Sequence, residues 1–326
     1  MQYRKLGNSD LNASVIGLGT NNFGNPSRIS EKADSAKVLD KCLELGINFI
    51  DTADAYGQGQ SEEHIGEALK GHRKEWLIGT KFNLARLDGQ SVRDRIVQSM
   101  EASLQRLQTD YVDLYQIHAM PAGVPHEEVL APLNELVQQG KVRYIGECNY
   151  AGWRHAQSDA VSEREGWAPM VSSQNYYNLL RRQVELELLP YCTENNVGFL
   201  PFFPLAGGWL TGKYQRGAPA PEGARRMVGQ LQGDERAHAV LDQLTIFAKE
   251  RGRSVLDLAF AWLLAHPAVS SVIAGAMTPE QVADNAKAAD WQMTQEEREA
   301  IDAIAAWDGT GEEVEGGGPG GTKPRR

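Results

Sequence analysis

Short apolar runs that resemble β-strands recur along the chain and alternate with stretches of helical periodicity. The predicted strands cover residues 15–19, 47–51, 77–81, 112–118, 142–147, 170–174, 198–203 and 270–274. Between them, apolar side chains recur mostly four residues apart, as at Val92, Ile96 and Met100, which lie on one face of a helix. Strands that alternate with helices indicate parallel βαβ units, and eight such units close as a single α/β domain, a (β/α)8 TIM barrel.

Two segments fall outside this alternation. Residues 3–6 and 11–13 flank the turn-forming run 7–10, which predicts an N-terminal hairpin that plugs the bottom of the barrel. Residues 204–233 hold Gly, Pro and Arg in a long irregular segment between the last two strands, and loops of this length are typically functional covers or mobile. Extra helices near the C-terminus are predicted at residues 236–251 and 254–265.

Length and composition favour one globular domain. The chain has 326 residues, of which 41% are hydrophobic and 23% charged, and a barrel with insertions fits this length. We expect the barrel to occupy residues 1–308 and a flexible tail rich in glycine and charge to occupy residues 309–326. No apolar run approaches the roughly 20 residues of a membrane span, and the N-terminus lacks the apolar core of a signal peptide.

Charge and cysteine usage exclude several classes of partner. The net charge of -10 argues against a nucleic-acid surface, because phosphate binding needs clustered Lys and Arg. Any phosphate-bearing cofactor must therefore be held by local positive groups. Cys42, Cys148 and Cys192 are widely spaced and suggest neither a disulfide framework nor a zinc motif. We expect a cytoplasmic protein with no metal, nucleic-acid or membrane partner.

Four polar residues lie at, or just after, the ends of the second, third and fourth predicted strands. Asp51 ends the second strand, and Tyr56 follows it in the loop. Lys81 and His118 end the next two strands. Taken singly, Asp51, Tyr56 and Lys81 have ordinary structural explanations as a cap, a packing residue and a solvated group, and His118 is as often a buried structural histidine as a functional one. Their combination at successive strand ends favours a catalytic site, because the strand ends of a parallel barrel meet at one rim.

The chemistry of these residues suits carbonyl reduction, which needs a hydride on carbon and a proton on oxygen. Tyrosine, with a reference pKa of about 10, is a poor acid at neutral pH, and the Lys81 ammonium would lower the pKa of Tyr56. Asp51 would keep Lys81 charged through a charge-assisted hydrogen bond. Two roles stay open for His118, which could orient the carbonyl or assist proton donation, depending on its tautomer.

Longer motifs around these residues resemble the aldo-keto reductase superfamily, in the branch that includes potassium-channel β subunits. Residues 46–57, GINFIDTADAYG, look like the opening signature of that family, and residues 106–118 resemble its next block. The similarity runs from about residue 3 to residue 306. The resemblance implies a reversible NAD(P)H-dependent reductase of aldehydes and ketones, in which Tyr56 donates the proton and the other three residues are its partners.

The same resemblance implies a nicotinamide dinucleotide that lies extended across the barrel mouth. Asn149 and Gln174 match positions that hydrogen-bond the carboxamide, and Phe203 would sit against the nicotinamide ring. Small residues after Phe203 would let backbone amides approach the pyrophosphate, and the helix after the last strand would hold the adenosine half. The implied cofactor-binding residues are Asn149, Gln174, Phe203, Pro204, Leu205, Gly207, Lys213, Gly275, Met277, Gln281 and Asn285.

Two departures from the family pattern concern the cofactor. Members selective for NADPH usually carry Ser followed by Arg or Lys where this chain has Met277 and Thr278, so a 2′-phosphate would lose its usual charged partner. Glu147, Cys148 and Asn149 replace the usual Val-Ser-Asn or Leu-Ser-Asn, and cysteine is a weaker hydrogen-bond partner than serine. We expect NADP(H) from the family habit, with NAD(H) or dual use left open.

The substrate and the biological role are less constrained. Candidate pocket walls are Phe23, Asn83, Met120 and Trp209, with Trp153 as a further neighbour, and no feature identifies the small carbonyl substrate or the state of a possible homo-oligomer. One alternative is a nucleotide-sensing regulatory subunit with little turnover. Another is a barrel lyase or isomerase that uses Lys81 as a Schiff-base nucleophile, against which the neighbouring tyrosine argues.

Overall fold

After an N-terminal hairpin, strands and helices alternate along the chain. A computed structural model describes residues 1–85, 87, 89–121, 123–214, 216–219 and 224–307. The tail predicted at 309–326 and part of the segment 204–233 lie outside these residues. The strands are β1 (Tyr3–Lys5), β2 (Asn12–Ser14), β3 (Ile16–Gly19), β4 (Phe49–Asp51), β5 (Leu77–Asn83), β6 (Val112–Ala119), β7 (Val142–Cys148), β8 (Met170–Gln174), β9 (Gly198–Phe199) and β10 (Val272–Gly275).

The α-helices pack outside the sheet, and short 3₁₀ turns supplement them. The helices are α1 (Lys32–Glu44), α2 (Gln60–Ala68), α3 (Val92–Leu107), α4 (His126–Gln138), α5 (Gly152–Glu165), α6 (Leu188–Glu194), α7 (Arg226–Gln232), α8 (Glu235–Lys249), α9 (Val255–Leu264), α10 (Pro279–Ala288) and α11 (Gln295–Ile304). The 3₁₀ turns are Tyr56–Gly59, Arg73–Glu75, Gln183–Glu185 and Ala206–Thr211. Among the described residues, none of these helices has the length and apolar character needed to cross a bilayer.

Strands β3 to β10 form one parallel sheet in the order β10-β3-β4-β5-β6-β7-β8-β9. The two outer strands also meet, because the amide of Ile273 donates to the carbonyl of Pro201 at 3.0 Å and Phe202 pairs with Ile273 in an isolated bridge. The sheet therefore closes on itself with helices outside it. This confirms the (β/α)8 TIM barrel predicted from the sequence.

The seventh barrel strand is shorter than its apolar run predicts. Regular pairing with β8 covers only Gly198–Phe199, whereas the prediction extended to residue 203. Pro201 has no amide hydrogen to donate to a ladder, and Phe203 has a φ of +52°, outside the extended region. The other predicted barrel strands agree with the structure to within two residues at each end.

The hairpin β1–β2 closes the bottom of the barrel, as predicted. Tyr3 pairs with Ser14, and the side chains of Leu6 and Leu11 between the two strands are fully buried. They join an apolar cluster of barrel-interior residues. The other members of this cluster are Ala13, Phe49, Leu114, Val171, Leu200 and Ile273.

The segment predicted as irregular between residues 204 and 233 contains more structure than its composition indicates. It begins with the 3₁₀ turn Ala206–Thr211 and ends with helix α7. Gly207 and Gly208 have φ values of +72° and +103°, which glycine adopts without strain. These bends bring the segment back over the rim of the barrel, where Arg225 approaches the ring of Phe203.

Candidate active site

The four residues predicted to be catalytic meet at the carboxyl-terminal rim of the barrel. Lys81 Nζ lies 2.7 Å from Asp51 Oδ2 and 3.4 Å from the hydroxyl of Tyr56. The ring of His118 meets the ring of Tyr56 edge-on, with 5.7 Å between their centroids. Asp51 and Lys81 are buried, while Tyr56 and His118 keep part of their surface open to solvent. The tyrosine hydroxyl therefore stands between the buried ion pair and the open rim.

Strand register and one loop explain this convergence. Asp51 pairs with Gly79 in the β4–β5 ladder, so Lys81 lies two residues further along and faces the same side of the sheet. The loop after Asp51 then crosses the end of β5, where the amide of Asp54 donates to the carbonyl of Lys81 at 3.0 Å. This crossing brings Tyr56, the first residue of the following 3₁₀ turn, to the lysine.

The buried lysine keeps its charge. Burial alone would lower the pKa of Lys81, but the Asp51 carboxylate outweighs it and raises the pKa above its usual value. The ammonium also donates to the carbonyl of Thr52 at 2.9 Å, so its three hydrogens have acceptors in Asp51, Thr52 and Tyr56. A charged Lys81 is a poor nucleophile, which argues against the Schiff-base alternative.

Burial, rather than the lysine, dominates the acidity of the tyrosine. It raises the pKa of Tyr56, while the Lys81 charge acts in the opposite direction and Asp51 adds to the rise. The charge of Lys81 does lower the pKa of Tyr56, as predicted. Burial and Asp51 raise it by more, so the pKa of Tyr56 lies above its ordinary value. The phenol stays protonated near neutral pH, as a proton donor must.

His118 is held in its neutral form. Burial, followed by the positive charge of Lys81, lowers the pKa of His118 to about 3. Its Nδ1 is buried and has no hydrogen-bond partner among the described residues. A neutral imidazole with one unpaired nitrogen can orient a carbonyl oxygen, which favours that role over proton donation.

Two amide side chains hold the Asp51 carboxylate. Gln174 Nε2 donates to Asp51 Oδ1 at 2.8 Å, and Gln116 Nε2 approaches the same oxygen at 3.4 Å. Gln116 was not predicted to take part in the site. Its position two residues before His118 on β6 was the available signal, because alternate residues of a strand share one face. Asp51 is therefore held by Gln116 and Gln174 on one oxygen and by Lys81 on the other.

The residues expected at the nicotinamide lie on neighbouring strand ends. Asn149 follows β7 with a φ of +63° and donates from Nδ2 to the carbonyl of His118 at 3.2 Å. Gln174 ends β8, and its side chain is 3% exposed. Phe203, partly exposed, stacks edge-on against Tyr176 at 5.6 Å between ring centroids. Two amide side chains therefore lie at the ends of neighbouring strands, and an aromatic ring follows the next strand along the chain.

The residues expected at the phosphates and adenosine lie further along the rim. Pro204 is buried, Leu205 and Gly207 are partly exposed, and Lys213 is exposed. At the end of β10, the amide of Met277 donates to Gln281 Oε1 at 2.8 Å. Asn285, one turn later on α10, is buried and lies 3.5 Å from the carbonyl of Gly275.

Two arginines at this rim were not predicted. The Arg225 guanidinium lies 4.9 Å from the centre of the Phe203 ring and donates to Asn21 Oδ1 at 3.1 Å. Burial lowers the pKa of Arg225, and the charge of Arg28 lowers it further. Arg28 Nη1 lies 3.9 Å from Met277 Sδ. Sequence reasoning missed both because each lies on a loop whose path only the fold defines.

The predicted substrate pocket needs correction. Phe23 and Trp209 are both 0% exposed, so neither presents a surface to a substrate. Trp209 instead stacks on Tyr214, at 5.8 Å between ring centroids, inside the segment that covers the rim. Met120 is 8% exposed, and Asn83 is partly exposed at the end of β5. Apolar residues in rim loops turned inward because burying an aromatic side chain is favourable wherever a core is within reach.

Comparisons with known proteins agree with this geometry. The profile of the aldo/keto reductase family matches residues 15–306. The chain is 30% identical to versiconal hemiacetal acetate reductase of Aspergillus parasiticus, over 91% of this chain and 95% of the relative. It is 35% identical to the aldo-keto reductase YhdN of Bacillus subtilis, over 93% of each chain. It is also 33% identical to a probable voltage-gated potassium channel subunit beta of Arabidopsis thaliana, over 89% of this chain and 92% of the relative. The chain therefore belongs to the aldo/keto reductase family of oxidoreductases.

Proposed function

We propose that this protein reduces aldehydes or ketones with NADPH, reversibly, and that Tyr56 donates the proton. The observation that carries the proposal is the Lys81 ammonium, which lies between the Asp51 carboxylate and the Tyr56 hydroxyl in a buried site. Phenol, ammonium and neutral imidazole are the groups that a carbonyl oxygen needs as it becomes a hydroxyl.

The residues at the rim fit a nicotinamide dinucleotide. Asn149 and Gln174 offer amide groups on neighbouring strand ends, and Phe203 offers an aromatic face beside them. Arg225 lies over the same ring and supplies positive charge on a chain whose net charge is -10. A reduced nicotinamide held by these residues would supply the hydride that the carbonyl carbon needs and would itself become oxidised.

The protein's own residues account for the proton. As charge develops on the carbonyl oxygen, Tyr56 transfers its hydroxyl proton to that oxygen, which yields an alcohol and a tyrosinate. The Lys81 ammonium stabilises the tyrosinate from 3.4 Å, and Asp51 keeps Lys81 in place. The neutral His118 orients the carbonyl toward the tyrosine. In the reverse direction, the tyrosinate accepts the proton from the alcohol.

NADP(H) is the proposed nucleotide, although Met277 and Thr278 lack the usual charge. Arg28 reaches Met277 from the loop after β3, at 3.9 Å between Nη1 and Sδ. An arginine from a different element can therefore supply the cation that a 2′-phosphate needs. The proposed substrate is defined as a class, small aldehydes and ketones, because Phe23 and Trp209 are fully buried and offer no surface that selects among them.

The substitution Tyr56→Phe tests the proposal. It removes the proton donor but keeps the aromatic ring, so we expect turnover of a carbonyl substrate with NADPH to fall by at least about a hundredfold. The affinity for NADPH, measured by quenching of tryptophan fluorescence, is expected to stay within about threefold of the wild type. Tyr115→Phe is the matched control, because Tyr115 is a fully buried tyrosine whose hydroxyl donates to the carbonyl of Ile96 on α3. Normal turnover by Tyr56→Phe would contradict the mechanism.

A second function is favoured by one observation. The similarity to a probable potassium channel subunit beta extends over most of both chains, so a nucleotide-sensing role is the alternative. Both functions require nucleotide binding, but only the reductase requires turnover. A wild-type protein that binds NADPH and reduces no member of a broad aldehyde and ketone panel would favour the sensor.

A further inference from the structure

We propose that Glu147 and His155 form a buried positioning pair that fixes the turn carrying Asn149. This inference rests on the proposed function, in which Asn149 binds the nicotinamide carboxamide. Neither residue is expected to touch the nucleotide or the substrate. They act through the backbone between β7 and α5, where the nicotinamide side of the site is built.

The Glu147 carboxylate spans the turn. It is 0% exposed, and its Oε2 accepts the amide hydrogen of Tyr150 at 3.2 Å. Its Oε1 lies 2.9 Å from Nδ1 of His155, in the first turn of α5. The carboxylate therefore connects the end of β7, the residue after Asn149 and the following helix.

Asn149 needs such support, because its backbone is in the left-handed region with a φ of +63°. A residue other than glycine pays a conformational cost there and keeps this geometry only when its surroundings impose it. The amide of Asn149 donates to the carbonyl of Gln174 at 3.0 Å, and the carbonyl of Tyr150 accepts from Asn175 Nδ2 at 2.9 Å. The bond from Glu147 to the Tyr150 amide completes this set.

The next side chain in the sequence does not hold the turn. Cys148 points into the barrel, where its Sγ lies 3.9 Å from Gln116 Oε1. Thiols are weak hydrogen-bond donors, so Cys148 contributes little to the position of Asn149. The carboxylate of Glu147 is thus the side chain of this tripeptide that bonds across the turn.

His155 is the counter-ion that makes a buried carboxylate tolerable. Its imidazole is 0% exposed, and Asp159 Oδ2 lies 3.6 Å from its Nε2. Burial opposes the imidazolium, but the hydrogen bond and charge of Glu147, together with Asp159, raise the pKa of His155. Tyr191 completes the pocket, with its hydroxyl donating to Asp159 Oδ2. The Nε2 of His155 makes no hydrogen bond among the described residues, so Glu147 is the acceptor that holds this buried imidazole.

A set of four variants tests the role. Glu147→Leu removes the acceptor for the Tyr150 amide, Glu147→Gln keeps an acceptor without the charge, and Glu147→Leu/His155→Leu removes both members of the pair. Asp113→Asn is the matched control, because Asp113 is a buried carboxylate paired with Arg73 and Arg143 at the start of β6. Each protein is titrated with NADPH and with 2′-phospho-ADP-ribose, which lacks the nicotinamide, and its thermal unfolding is recorded.

We expect Glu147→Leu to weaken NADPH binding about tenfold, while binding of 2′-phospho-ADP-ribose changes by less than about twofold. Glu147→Gln is expected to recover most of the NADPH affinity. The double variant is expected to recover thermal stability relative to Glu147→Leu, because the His155 imidazole is no longer buried without the Glu147 carboxylate, yet to keep the weak NADPH binding. Asp113→Asn is expected to lose stability without changing either affinity.

The outcomes separate this inference from the proposed function. Equal weakening of both ligands by Glu147→Leu, or wild-type NADPH affinity in the double variant, would assign the pair a purely structural role and overturn the inference alone. A wild-type protein that binds neither ligand would overturn the inference together with the proposed function. If Glu147→Leu does not fold, the comparison of Glu147→Gln with the double variant decides the question in the same way.

Discussion

At both Lys81 and Tyr56, the effect of burial on the pKa competes with the effect of a nearby charge. A buried lysine usually loses its proton more easily, yet Asp51 at 2.7 Å reverses that tendency. The same ammonium, at 3.4 Å from the Tyr56 hydroxyl, does not overcome the effect of burial on the phenol. The short, charge-assisted contact prevails over burial and the longer contact to a neutral group does not.

Arg28 allows a prediction about cofactor choice at the scale of one residue. If it supplies the cation for a 2′-phosphate beside Met277, Arg28→Gln weakens NADPH binding about tenfold or more and leaves NADH binding unchanged, because only NADPH carries that phosphate. Separate fluorescence titrations with the two nucleotides measure this ratio. Arg251→Gln, which removes an arginine that lies on Phe247, is the control. Equal loss for both nucleotides would place Arg28 elsewhere along the dinucleotide.

At the scale of elements, the loop that carries Tyr56 is tied to α3. Arg95 on α3 donates from Nε to the carbonyl of Asn83 at 3.2 Å and lies 3.4 Å from Asp54 Oδ2. It therefore connects the end of β5 to the loop between Asp51 and Tyr56. Burial raises the pKa of Asp54 to about 6, with a further rise from Glu62 and opposing effects from Arg95 and Arg106.

The raised pKa of Asp54, which burial causes, predicts a pH dependence of stability. A carboxyl whose pKa is raised in the folded state binds its proton more tightly there, so its contribution to the unfolding free energy is complete below its unfolded pKa. That contribution is lost as pH rises through about 6 and amounts to about 2 to 3 kcal/mol. Urea unfolding between about pH 4.5 and 7 should show this loss in the wild type and not in Asp54→Asn. Asp34→Asn, at an exposed carboxyl, serves as control, and identical curves for wild type and Asp54→Asn would refute the assignment.

At the scale of the whole molecule, the hairpin β1–β2 completes the core. Eight parallel strands leave the bottom of a barrel open, and Leu6 and Leu11 fill it from outside the repeating βα pattern. Gly7, in the turn of the hairpin, has a φ of +54° and lies close to the barrel wall. A Cβ there would collide with the carbonyl oxygen of Val171 on β8.

Gly7→Ala is therefore expected to destabilise the protein by more than the backbone effect alone. Gly140→Ala is the matched control, because Gly140 has a φ of +73° and a Cβ there would meet no atom within 4 Å. The backbone conformation costs about 1 to 2 kcal/mol at either position, and we expect at least about 1 kcal/mol more at Gly7 from the collision. Chemical denaturation of both variants measures the difference. Equal losses would mean that the hairpin moves aside freely.

The local pattern of apolar and polar residues was enough to predict those parts of the structure that depend on neighbours in sequence. Apolar runs predicted the barrel strands, and the ends of those runs predicted Asp51, Lys81 and His118, because every strand of a parallel barrel presents its carboxyl end to one rim. The strand at 198–203 was predicted too long since apolar character does not register the missing amide of Pro201. Phe23 and Trp209 were placed in a pocket because sequence does not distinguish an apolar rim residue from an apolar core residue.

The sequence by itself determined the fold, the family and which four polar residues, Asp51, Tyr56, Lys81 and His118, lie at the barrel rim. The periodicity of apolar residues and the residue types at strand ends are local properties, so they can be recognised in the sequence alone. Only the tertiary structure decided which distant groups surround them: Gln116 and Gln174 on Asp51, Arg28 beside Met277, and His155 paired with Glu147. These contacts join separate strands, loops and helices, and their energies depend on burial and on distances of a few ångströms, which no spacing along the chain specifies.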